Sequence, residues 1–260
     1  MAPPVPRAPG GATSARWLVA AALILTTGCA GTPSAPPSPE LPRVEAGDLV
    51  RRWEDEWRAF PGLRAAVDLT VTRRGRAQRS AGVLLLSPTH LRFEVVTPLG
   101  LPALIVTAGP EQLLVWSATE RRAWTGRPTP ESLGRWLGVP LPPASLIRLL
   151  VGQVPPPSDP ASARFEERGG RHLVFDRESV RHRVWVTAEG YPVRLQLDGA
   201  RSVTAKFERT PTGGFLALSI EVPDQKLEAQ IRYLFAESVA PPREAFEVRL
   251  PPGVRVEQAD

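Results

Sequence analysis

The 260-residue chain is 42% hydrophobic, enough for one sizeable core, and its 32 basic and 27 acidic residues leave a formal charge of +5. Lys206 and Lys226 are its only lysines, there is no asparagine, and the arginines are spread along the chain rather than gathered with aromatics into a stripe, which argues against nucleic-acid binding. A single cysteine excludes an internal disulfide.

The start of the chain carries Arg7 and Arg16 and then an apolar run from Trp17 to Leu25, too short to span a bilayer as a helix. Thr26-Thr27-Gly28-Cys29 follows. Basic, apolar and small-residue segments in that order have the layout of a signal peptide. Their end resembles the lipobox of bacterial lipoproteins, although Leu25 stands one place earlier than usual and Thr26 takes its position. That resemblance implies a signal peptide over 1–28, cleavage before Cys29 and a lipid, with its palmitate-type acyl chains, on the cysteine. The stretch 29–43 is rich in Pro, Ser and Gly and has no apolar period, so it is expected to be an extended tether. The remainder, 44–260, is expected to fold as one domain.

From Ala46, Leu49, Trp53, Trp57 and Phe60 recur at helical spacing, with Arg51, Glu54, Asp55 and Arg58 on the opposite, solvent-side face, and Pro61-Gly62 stops the helix. The period then becomes two. Strands are expected near 66–73, 80–87, 89–97, 102–108, 112–117, 120–125, 164–168, 171–176, 180–188, 191–198, 203–208, 214–222 and 227–235. Leu195, Leu197, Phe207, Ile231, Tyr233 and Phe235 all fall on apolar faces in this alternation. Thr129-Pro130-Glu131 has the cap, first-turn proline and acid of a helix start, and Pro142-Pro143-Ala144-Ser145 opens a second helix that ends at Gly152. One helix before an antiparallel meander and two within it make an α+β fold.

The standard catalytic motifs are absent, and no enzyme activity, cofactor or metal is expected. His172, Asp176 and His182 are close enough in sequence to be weighed as metal ligands, but on adjacent strands they are better read as ordinary residues. Ser145 has no neighbouring base and reads as a helix-start residue. Two features carry more information. In Thr97-Pro98-Leu99-Gly100-Leu101-Pro102 a turn framed by prolines presents leucines where polar residues are the norm. Leu99 and Leu101 are candidates for contact with a membrane or a protein, unless one of them tucks into the core; burying one leucine is worth roughly 1.5–3 kcal/mol. The second is the pair of Trp- and Leu-rich helices. Either they cover the sheet as plain core, or they lie over an apolar cavity lined by Trp136, Leu146, Leu195, Leu197, Phe207, Ile231 and Tyr233.

The Thr97–Gly100 turn, the Leu137–Leu146 link with Gly152, and a helical block after the sixth strand together resemble the family of the outer-membrane lipoprotein receptor LolB and the periplasmic carrier LolA, over about Arg64 to Val256. The Phe246–Val254 segment is closer to the LolA side. The resemblance implies an incomplete, strongly curved antiparallel β-barrel with helices plugging its concave side and an apolar interior for acyl chains. It also implies that Leu99 stands where LolB has a protruding leucine, and that the partners are acylated lipoprotein cargo, a LolA-like carrier and a membrane. Ala30 after the cysteine favours the periplasmic face of the outer membrane, and a monomer is expected. A ligand-sensing or scaffold role on the same fold, as in the envelope-stress regulator RseB, stays open as the alternative.

Overall fold

The computed structural model describes residues 44–258 apart from residue 169, so the expected signal peptide, Cys29 and the tether lie outside the described residues. Helix α1 (Ala46–Arg58) comes first. Six strands follow as consecutive hairpins: β1 (Leu63–Arg73), β2 (Arg76–Leu86), β3 (Leu91–Val96), β4 (Pro102–Ala108), β5 (Leu113–Ser117) and β6 (Arg122–Gly126). Helices α2 (Pro130–Trp136) and α3 (Pro143–Leu150) interrupt them. The second run is β7 (Arg164–Glu166), β8 (His172–Arg177), β9 (Val180–Val186), β10 (Pro192–Asp198), β11 (Ser202–Arg209), β12 (Phe215–Val222) and β13 (Leu227–Ser238). A short β14 (Arg255–Gln258) ends the described chain.

All of these strands belong to one 14-stranded sheet, in the order β14-β6-β5-β4-β3-β2-β1-β13-β12-β11-β10-β9-β8-β7. The expectation of a strongly curved, incomplete antiparallel barrel is overturned: the sheet is open, is not strongly curled and is mixed, because β14 runs parallel to β6. The pairing explains why. A barrel closes when its outermost strands pair with each other. Here the early strand β1 pairs with the late strand β13 in the middle of the sheet, through eleven residue pairs from Leu63↔Ser238 to Arg73↔Leu227. That join sends the strands on either side of the helical block, β6 and β7, toward opposite ends of the sheet.

One face of the sheet carries the core. Ala65 and Val67 on β1, Leu84 and Leu86 on β2, and Leu218 and Ile220 on β12 are buried, and helices cover them. Helix α1 buries Leu49, Val50 and Trp53, and the Trp53 indole donates to the Gly190 carbonyl at 3.0 Å in the turn before β10. Its Glu54 is not a solvent-side charge, since it pairs with Arg148 of α3 at 2.8 Å, and the Arg148 guanidinium lies 4.4 Å from the centre of the Trp57 ring. Burial lowers the pKa of Arg148, and the attraction of Glu54 opposes that shift. Helix α2 starts on a reciprocal cap: the Thr129 hydroxyl accepts from the Ser132 amide, and the Ser132 hydroxyl accepts from the Thr129 amide. Serine takes the place that glutamate usually fills. The β13 register slips by one residue opposite Ala66 and Val67, a bulge that leaves both Leu234 and Phe235 exposed. The simple alternation that put Phe235 on the core face ends there.

Candidate functional site

Between the helix-covered face and the α2–α3 pair lies a cavity of about 1340 Å³. The pairing β2-β1-β13-β12 sets its sheet wall, because Leu69 stands opposite Ile231 and Val71 opposite Ala229, and all four side chains line the space. Leu69, Val71 and Ile231 are only half-buried, unlike Ala65 and Val67 further along β1, since the cavity takes the place of packed atoms above them. Leu84, Leu91, Val139, Leu146 and Leu150 form its buried depth, and Trp136, Leu137 and Gly138 its helical side.

Two glycines are needed for this shape. At Gly82 a Cβ would stand 2.9 Å from the Phe93 ring, so the missing side chain lets Phe93 lie over the strand and line the cavity. Gly138 follows α2 with φ +76°, and a Cβ there would stand 2.6 Å from Leu227 Cδ1. Only glycine allows both that backbone and that approach of the helical link to β13.

Helix α3 is fastened over the cavity by its C-terminal carbonyls. The Tyr233 hydroxyl donates to the Leu150 carbonyl, and burial pushes the phenol pKa up, so it stays a donor. The Arg209 guanidinium donates to the Gly152 carbonyl, and to those of Gly213 (3.1 Å) and Pro192 (3.3 Å). A cation there also suits the negative end of the helix dipole.

The cavity is open along one edge, where Arg73, Arg74, Arg76, Ala77 and Gln78 are exposed. This edge is the tip of the β1–β2 hairpin. Arg74 and Gly75 are its two loop residues, with φ of 51° and 80°, as a type I′ turn demands. The last β2–β3 pair is Ala81↔Val96, so the β3–β4 turn lies at the same end of the sheet as the hairpin tip. That turn is closed by its own bonds: Gly100 N–H donates to the Thr97 carbonyl, Thr97 N–H to the Leu101 carbonyl, and Leu101 N–H to the Thr97 hydroxyl. Its leucines point away from the core, Leu99 at 87% and Leu101 at 63% exposure. Neither tucks under the sheet.

The seven residues named from sequence as cavity-lining do not stand together. Trp136, Leu146 and Ile231 line the large cavity. Leu197 lines a smaller one of about 420 Å³ on the other side of the helix pair, which also borders Ser145 and His182. Leu195 and Phe207 are packed in the core, and Tyr233 is the α3 tether just described. His172 and His182 are buried. His172 stacks on Trp185 at 4.8 Å and His182 on Phe175 at 4.9 Å, each with Nδ1 against a backbone carbonyl, Gly170 and Val180 respectively. Asp176 faces Arg181 instead. Among the described residues no three His, Cys, Asp or Glu side chains gather, no catalytic constellation is present, and no helix is long and apolar enough to cross a membrane.

Sequence reasoning missed the arginine edge and much of the sheet wall, including Leu69, Val71, Leu84 and Phe93. A signal for the edge was present. Alternation continued outward from Val67 and Val71 puts Arg73 on the cavity face, and Gly75 marks the hairpin that brings Arg76 beside it.

No protein-family model matches the chain, and no curated protein matches its sequence. Solved structures do. A LolA superfamily protein from Nitrosomonas europaea superposes with a TM-score of 0.53 at 11% identity, over 79% of this chain and 98% of that one. The chain shares that fold. A domain assigned to outer-membrane lipoprotein sorting, from Vibrio parahaemolyticus, gives 0.51 at 8% identity, over 77% and 95%. A DUF1329 family protein from Desulfovibrio piger gives 0.51 at 12%, over 78% and 95%. At these identities the kinship to LolA-like and lipoprotein-sorting domains is remote and is one of fold.

Proposed function

We propose that this chain is an exported lipoprotein, anchored through Cys29 at the periplasmic face of the outer membrane, that holds acyl chains in the large cavity and accepts or inserts acylated lipoprotein cargo without catalysis. A LolA-like carrier would supply the cargo. The observation that carries the reading is the apolar cavity opening at the same end of the sheet as the exposed Leu99 turn. At about 1340 Å³ it exceeds the roughly 300–1,000 Å³ of ordinary small-molecule sites. Each methylene moved from water into it contributes about 0.8 kcal/mol. The fold shared with lipoprotein-sorting domains supports the same reading.

The test is titration of the chain with a fluorescent acylated peptide. Saturable binding is expected, and Ile231→Glu, which places a carboxylate on the cavity wall, should abolish it. Absence of binding by the unaltered chain would refute acyl-chain capture and favour the sensor or scaffold role.

A further inference from the structure

Arg73 and Arg76 are directly opposed across the β1–β2 hairpin, and both line the edge of the cavity. Like charges directly opposite on one face of a sheet repel. Among the described residues no carboxylate lies within ion-pair distance of Arg73, Arg74 or Arg76. Four arginines line the cavity and no aspartate or glutamate does. Glu228, the nearest acid on β13, is paired with Thr72, whose side chain alternates to the opposite face. Arg74, the next residue, adds a third guanidinium to the cavity edge, and its backbone N–H donates to the carbonyl of Lys226 at 2.9 Å, which holds the hairpin tip against the start of β13. The hairpin tip thus concentrates positive charge at the opening of an apolar space.

The change from charge to hydrocarbon is abrupt. On β1 the cavity-facing residues run Arg73, Val71, Leu69 outward to inward. Successive same-face residues are about 6.6 Å apart at the usual strand rise. An amphiphile with its chains over Leu69 and Ile231 would bring its headgroup to the two guanidinium groups.

We propose that Arg73 and Arg76 clasp the phosphate of an anionic phospholipid whose acyl chains occupy the cavity. This rests on the acyl-chain reading above and specifies the ligand class. Two planar guanidinium forks offer paired N–H donors to the non-bridging phosphate oxygens, a match that an uncharged glyceride lacks. The anion also relieves the Arg73–Arg76 repulsion.

The experiment compares two probes with the same fluorescent acyl tail, a labelled phosphatidylglycerol and a labelled diacylglycerol, each titrated into the purified full chain. Charge-assisted hydrogen bonds of this kind correspond to a preference of about tenfold or more for phosphatidylglycerol. The R73Q/R76Q variant should bind both probes alike, while R79Q, a neighbouring change on the outward face of β2, keeps the preference. Equal binding of the two probes by the unaltered chain overturns the clasp and leaves the acyl cavity standing. Loss of preference in R79Q as large as in R73Q/R76Q also overturns it, because general surface charge then explains the effect. Displacement of the phosphatidylglycerol probe by inorganic phosphate at comparable concentration would show a free-anion site, and the lipid assignment would fall. If neither probe binds, the cavity reading itself fails and the clasp with it.

Discussion

The Tyr233 hydroxyl donates to the Leu150 carbonyl, joining a central strand of the sheet to the C-terminal end of the helix that roofs the cavity. Both atoms are taken from water on folding, so neither has an easy substitute partner. Tyr233→Phe should therefore cost about 1 kcal/mol, a fall in melting temperature of roughly 2–4 °C for a domain of this size. Calorimetry gives the value directly. An unchanged melting temperature would mean that water replaces the lost hydroxyl at the Leu150 carbonyl.

The exposed β3–β4 turn is expected to act on membranes without contributing to stability. Leu99→Glu with Leu101→Glu should change stability by no more than about 0.5 kcal/mol, as for other surface positions. Binding of an acylated peptide should persist, since neither leucine lines the cavity. Delivery of that peptide from a carrier to liposomes should fail, because two carboxylates resist burial at a lipid interface. Full delivery by the double variant would exclude the turn as the membrane contact.

Cys29 is expected to carry the anchor. Mass spectrometry of the membrane-extracted protein should find a mature chain that starts at Cys29 and bears acyl groups. Cys29→Ser should leave unlipidated precursor or soluble protein. An unmodified thiol, or a mature start elsewhere, would refute the assignment.

His182 supplies a pH-dependent part of the stability. Burial lowers its pKa below the ordinary histidine value of 6.5, so in acid the unfolded chain binds the proton first. The stabilisation is complete above 6.5 and declines as pH falls below that value toward the lower folded-state pKa. His182→Gln should flatten the difference in melting temperature between pH 7.5 and 5.5 relative to the unaltered chain. An identical pH dependence in the two proteins would show that other groups carry it.

Helix α1, the thirteen antiparallel strands and the two central helices were readable from their apolar periods, because each buries one side against the same core. The exposure of the Leu99 turn was also legible as an option, from two prolines and a glycine framing leucines. Other features depend on contacts distant in sequence. Strand β14 reads as four mostly polar residues, Arg255-Val-Glu-Gln258, and is a strand only because it lies parallel to β6, far earlier in the chain. Alternation tells which side of a strand is apolar and says nothing of whether the outer strands meet, so an open sheet and a barrel look alike in sequence. The cavity was legible as one of two options, and Trp136, Leu146 and Ile231 were named among its lining, whereas Leu195, Leu197, Phe207 and Tyr233 stand elsewhere. Leu195 and Phe207 are packed in the core, whereas Leu69 and Val71 border the open space, a division that no local pattern encodes.

The central claim, that acyl chains occupy the space between the sheet and the α2–α3 pair, is tested most directly by photo-crosslinking. A palmitate analogue with a diazirine near its methyl end would be irradiated with the full chain and the modified residues located by mass spectrometry. Crosslinks are expected on cavity-lining segments, those containing Leu69, Trp136, Leu146 and Ile231. Modification confined to the exposed residues Leu216, Leu234 and Phe235, or none at all, would contradict the account.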